Sequence, residues 1–185
     1  MIIMQNSMIK QLFTRADDLI DSLIDDFGEF NNNENVLGFL AEKTMNFINF
    51  SQTTFSMVIF GFLDKISDTK YNFDEEISKS KELINKIFEN IKEILGHILQ
   101  HEEHEEDGDC EHEHEHHHHH IDMDSVQEDI DKVVEYLVLL KGILSTIENF
   151  VLTSLKYESD KITEGEFKKV YNTFKENINK YYEES

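Results

Sequence analysis

The chain has no proline and no tryptophan, a single cysteine, and only 17 basic side chains against 39 acidic ones in 185 residues. Each scarcity excludes something. Without proline, no helix should carry a proline kink. One cysteine cannot build an internal disulfide framework, which suits a reducing compartment, and a cytoplasmic location is expected. The start, MIIMQNSMIK, has neither a basic leader region nor an A-x-A-like cleavage site, so no export signal is expected. With a net charge of −22, nucleic-acid phosphates and anionic membrane surfaces would be repelled. Cations and basic proteins are left as natural partners.

The longest uncharged stretch is the twenty residues from Thr44 to Leu63. Twenty is the length of a membrane span. Eight of the twenty are Thr, Asn, Ser or Gln, however, and no cationic cluster flanks one side. A helix sheathed by other helices is expected, with no membrane partner.

What is present is helical periodicity almost throughout. Ile9, Leu12, Phe13, Ala16, Ile20, Leu23 and Phe27 mark a first helix that ends at Gly28. A second runs from Leu37 to Ile66. The third carries Ile77, Ile84, Ile87, Ile91, Leu95 and Ile98, with Asn72 and Glu75 as its expected capping box. Ser125 with Glu128 is expected to open a fourth through Val126, Ile130, Val133, Leu137, Leu140, Leu144, Ile147 and Val151. Thr163 with Glu166 starts a shorter fifth carrying Phe167, Val170, Phe174, Ile178 and Tyr181. Nothing alternates with period two, so the class is all-α. Helices two and four should each run about 33 residues, roughly 50 Å. Helices that long bury their stripes by lying side by side. The expectation is one domain over 1–185, an up-and-down four-helix bundle with a short fifth helix at the C-terminal side. Phe39, Phe47, Phe50, Phe55, Phe60 and Phe62 occupy more than one face of helix two. Either that helix is the hub, or its second face makes a homo-oligomer through positions such as Phe50 and Phe60.

Residues 101–120 break the pattern: HEEHEEDGDCEHEHEHHHHH contains nine His, nine acids, one Gly and one Cys. Such a composition cannot bury enough apolar surface to order itself, so 101–122 should be a flexible loop between helices three and four. Its internal position and its Glu-His alternation set it apart from a purification tag. Imidazole nitrogen binds Zn, Ni, Cu, Co and Fe, and carboxylates fill the remaining positions. The candidate ligands are His97, His101, His104, Cys110, His112, His114, His116, His117, His118, His119 and His120. If helix three continued past residue 100, Glu93, His97, His101 and His104 would share one face, with chelating i, i+4 spacing. Cys110, between Asp109 and Glu111, is a poor nucleophile because negative neighbours raise a thiol's pKa. It is better suited to be a soft extra ligand. A weaker cation candidate is the acidic run Asp17, Asp18, Asp21, Asp25, Asp26 and Glu29, where like charges repel at i, i+4; the alternative there is a solvated face.

The architecture resembles the ferritin-like bundles of iron-storage and di-iron proteins, which implies inward-facing Glu and Glu-x-x-His ligands. Glu111 with His114, Glu113 with His116 and Glu115 with His118 have that spacing within the tract. The helical acids Glu42, Glu82, Glu89, Glu93, Glu135 and Glu176 fall off the apolar stripes. The tract itself looks like those of nickel and zinc chaperones and metal transporters. The expected function is therefore metal storage, buffering or delivery through the tract, with no catalytic residue assigned. A di-iron oxidoreductase and a non-catalytic helical interaction module are the alternatives. No Gly-rich phosphate loop and no recognisable Ser/His/Asp constellation supports another enzyme class.

Overall fold

A computed structural model describes residues 2–30, 33–100 and 123–185. The described residues are all-helical, with no strand among them. The elements are α1 (Ile2–Gly28), α2 (Glu34–Phe50), a π-helical turn (Ser51–Phe55), α3 (Ser56–Ile66), α4 (Asp74–Gln100), α5 (Met123–Glu158) and α6 (Glu164–Glu184).

Local chemistry explains most of the boundaries. Asn33 caps α2 by accepting from the Asn35 N–H at 3.2 Å. Thr163 caps α6 by accepting from the Glu166 N–H at 3.2 Å, one arm of the expected capping box. Two caps differ from expectation. Asn72 accepts from Asp74 N–H at 3.1 Å, not from Glu75, whose carboxylate pairs with Lys79 at 3.0 Å. The Phe73 carbonyl accepts the first helical bond, from Ile77 at 2.9 Å, so Phe73 occupies the cap and Asn72 lies one residue too early. Ser125 is not a cap either, because α5 already begins at Met123. That helix stops where Asp160 takes a left-handed φ of 56°. There Lys161 N–H bonds the Lys156 carbonyl at 2.9 Å and Asp160 N–H bonds Tyr157 at 3.1 Å, closing the end as a Schellman motif.

The second helix is expected as one continuous run from Leu37 to Ile66, but the π turn interrupts the regular winding of the observed 34–66 segment. Ser51 and Phe55 are buried at that turn, and Ser56 N–H reaches back five residues to the Ser51 carbonyl. Thr44 and Thr53 bond the carbonyls of Leu40 and Asn49, both at 2.7 Å, so polar side chains compete along this helix. With no proline available, the winding changes through a π turn instead.

α5 is the central element, packed on α1, α4 and α6. It buries Ile130, Val133, Leu137, Leu140, Ile147 and Phe150, all at 1% exposure or less. It is also the one described helix long and apolar enough to cross a membrane by composition. Phe150 sits at the centre of an aromatic cluster, stacked on Phe174 at 4.3 Å and edge-on to Phe73 at 5.1 Å. A line of polar contacts fastens α6 along α4. Lys79 donates to Asn179 at 2.8 Å, Tyr182 to Glu82 at 3.1 Å, and Tyr171 to the Asn72 carbonyl at 3.0 Å.

Candidate metal-binding residues

The rotation of α4 is set by Ile91, Leu95 and Ile98, all buried against the core. That rotation turns Glu93 and His97 outward, and both are exposed. They stand four residues apart on one face, close enough to offer an oxygen and a nitrogen to a single ion. His97 lies in the last turn of α4, where the helix carbonyls favour a cation. The described helix ends at Gln100, so the continuation of this face to His101 and His104 falls outside the described residues. Cys110, His112, His114 and His116 to His120 fall outside them too. Among the described residues, no three His, Cys, Asp or Glu side chains come together as a metal-holding group.

Lysines reach half of the acidic run on α1. Lys141 of α5 sits 2.5 Å from Asp21 and 3.7 Å from Asp17, and its pKa is raised by the hydrogen bond to Asp21. Lys43 of α2 pairs with Asp26 and donates to Ser22 at 2.6 Å. Asp18, Asp25 and Glu29 are exposed to solvent. Neighbouring helices thus supply the positive charge for Asp17, Asp21 and Asp26, and the solvated-face reading accounts for the other three. Glu148, across from this face, is pushed up by burial and by the Asp17 charge.

The acids on which a ferritin-like site would draw point outward: Glu42, Glu82, Glu89, Glu93, Glu135 and Glu176 are all exposed. The carboxylate that does enter the core is Glu76, at 5% exposure. Lys175 lies 3.6 Å from it, and the Lys175 ammonium stands over the Tyr171 ring at 4.9 Å. Hydrogen bonding to Tyr171 first, then the Glu76 charge, raises the Lys175 pKa against the opposing effect of burial. Glu76 was absent from the apolar stripe read in the sequence. Its spacing to Ser80, Leu83 and Ile87 is a helical stripe spacing, and that was the available signal.

The chain matches no family model, no curated protein and no solved structure.

Proposed function

We propose that this protein binds several divalent transition-metal ions through residues 101–120, as a store, buffer or delivery protein. The carrying observation is the density of ligands: nine imidazoles and nine carboxylates in twenty consecutive positions. A tract of that composition can satisfy Zn, Ni, Cu, Co or Fe in many equivalent ways, without one fixed geometry. Cys110 adds a soft ligand, and Glu93 with His97 adds an exposed pair on the last turns of α4. The helices then serve as a carrier, read here as a four-helix bundle with α6 laid alongside. In this reading the 34–66 helix counts as one member and the tract connects α4 to α5. A cytoplasmic setting, with reduced Cys110, suits the same chemistry.

Metal analysis of untagged protein as purified tests the proposal, with residues 101–120 intact and deleted. Zinc, nickel, copper, cobalt or iron retained by the intact chain and lost with the deletion supports it. Equal metal content in the two chains would place the ions on the helices and favour a di-iron type of site.

A further inference from the structure

All 39 acids of this chain lie after residue 16, while residues 1–16 carry Lys10 and Arg15. α1 and α5 run antiparallel, because Asp21 meets Lys141 while Asn6 and Lys10 lie beside Lys156 and Ser159. The acid-free start of α1 is thereby laid against the end of α5. Between them is a cavity of about 160 Å³, with Asn6, Lys10, Lys156, Ser159 and Lys161 among its lining residues and no acid. None of these three lysines forms an ion pair among the described residues. On other faces Lys43, Lys79, Lys141 and Lys175 each meet a carboxylate. The clefts lined by Lys81 and by Lys86 hold one lysine each, with Asp64 or Glu184 beside it. The end of α5 does not occupy the three ammonium groups, since its last carbonyls already accept from the Ser159, Asp160 and Lys161 N–H groups. Glu158 and Asp160, neighbours in sequence, form no ion pair with them, and burial raises the Glu158 pKa with no cation to offset it. Asn6 Oδ1 is buried and accepts no hydrogen bond. The cavity thus gathers cations that lack an anion and an acceptor that lacks a donor.

We propose that this cavity binds a small oxyanion that keeps a proton, of which hydrogenphosphate is the model. Its charged oxygens accept from the Lys10, Lys156 and Lys161 ammonium groups, and its O–H donates to Asn6 Oδ1. Hydrogen bonds assisted by charge are the strong ones, and a buried acceptor left without a donor is costly. Sulfate would answer the lysines and leave Asn6 unpaired, while water would answer Asn6 and leave the lysines without an anion. At about 160 Å³ the cavity is well below the roughly 300–1,000 Å³ of pockets for drug-sized molecules, and it suits an ion of a few heavy atoms. The net charge of −22 repels anions at long range, but salt screens that repulsion beyond about 8–10 Å. Within that distance the first sixteen residues add no negative side chain. The inference does not depend on metal binding by the tract.

Titration of inorganic phosphate into the metal-free full chain tests it, followed by proton–nitrogen NMR at fixed ionic strength and about pH 7.5. The Asn6 side-chain amide and the Ser159 to Lys161 backbone amides should shift and saturate. At this pH sulfate carries no proton, and glycerol phosphate, with a second pKa of about 6, has mostly lost its own. Both should therefore bind about threefold or more weakly than inorganic phosphate. Asn6→Ala should remove that preference. Lys156→Gln and Lys161→Gln should each weaken phosphate binding about three- to tenfold, since each takes one charged donor from a partly exposed site. Lys132→Gln, at an exposed lysine elsewhere on α5 that also lacks an ion pair, should leave binding as it is. Circular dichroism should show the same helix content in all four variants. Shifts that never saturate, equal binding of sulfate and phosphate by the wild type, or equal losses in Lys132→Gln and Lys156→Gln would overturn the inference.

Discussion

Residues 74–100 and residues 101–120 adjoin in the chain and share acidic side chains, but they divide the aliphatic residues from the imidazoles. α4 buries Ile77, Leu83, Ile84, Ile87, Phe88 and Ile91 and carries a single histidine, His97. The next twenty positions hold nine histidines, nine acids and no aliphatic side chain. Apolar burial supplies folding energy, at roughly 25 cal/mol per Å², and that resource lies on the helical side. Imidazole lone pairs supply coordination, and those lie on the other. Stability and metal chemistry should therefore respond to different mutations.

The strongest attempt to break this separation is in the aromatic cluster. Phe150→Ala removes the ring that contacts Phe73, Phe174 and Phe167 and should cost about 3–5 kcal/mol in urea unfolding. The variant's metal stoichiometry per chain should be unchanged while it remains folded. A parallel loss of metal would mean that helical packing organises the ligands.

Lys175→Met comes next, because it leaves the buried Glu76 carboxylate without its cation. A loss of about 1–2 kcal/mol is expected, below the figure for a fully buried pair because Lys175 is 34% exposed. The Lys175 pKa is raised above its ordinary 10.5. Its stabilising contribution is therefore fully present below that value and lost as pH rises through the raised one. The gap between wild type and variant, followed by denaturant titration at several alkaline pH values, should close only above about pH 10.5.

Thr163→Ala should cost about 1 kcal/mol by removing the acceptor for Glu166 N–H at the start of α6. Hydrogen exchange should speed up first in the opening turn of that helix. An effect near zero would mean that the line of contacts to α4 alone holds α6 in place.

The helical class, the five-helix plan and one buried stripe on each helix could be read from spacing, because burial of an apolar stripe is a local property of the sequence; Ile48, Phe73, Phe88, Ile143, Phe150 and Tyr171 are buried outside those stripes. Ile20, Ile91, Val133 and Ile147 are at 0% exposure where the periodicity placed them inside. Features decided by a neighbouring helix were less legible. The Lys43 and Lys141 contacts that occupy the α1 acids come from α2 and α5, 17 and 120 residues away. Helix two showed its excess of phenylalanine but not which rings would be covered. Phe39 faces solvent while Phe47, Phe55, Phe60 and Phe62 are buried. The π turn had no warning in composition beyond an unusual density of Ser and Thr. Of the candidate ligands, His97 alone lies among the described residues, and the tract rests on its composition.

The smallest expected effect concerns Glu148, whose raised pKa comes from burial and then from the Asp17 charge. A carboxylate raised in the folded state weakens stability above its folded pKa, and the penalty vanishes below its ordinary 4.5. Glu148→Gln should thus stabilise by about a few tenths of a kcal/mol at pH 7, and the gain should fade as pH approaches 4.5. Thermal unfolding of both chains across that range would show it.

The most direct test of the separation is calorimetric titration of Zn or Ni into wild type and into a variant with the nine His of 101–120 changed to Gln. Wild type should bind more than one ion per chain at neutral pH and release protons as it does so. Binding should collapse as pH falls through about 6.5, the ordinary histidine value, because protonated imidazole cannot ligate. The Gln variant should lose most of the binding while its thermal unfolding hardly changes. Equal stoichiometry in the two proteins, or binding that persists at low pH, would contradict metal binding by the tract.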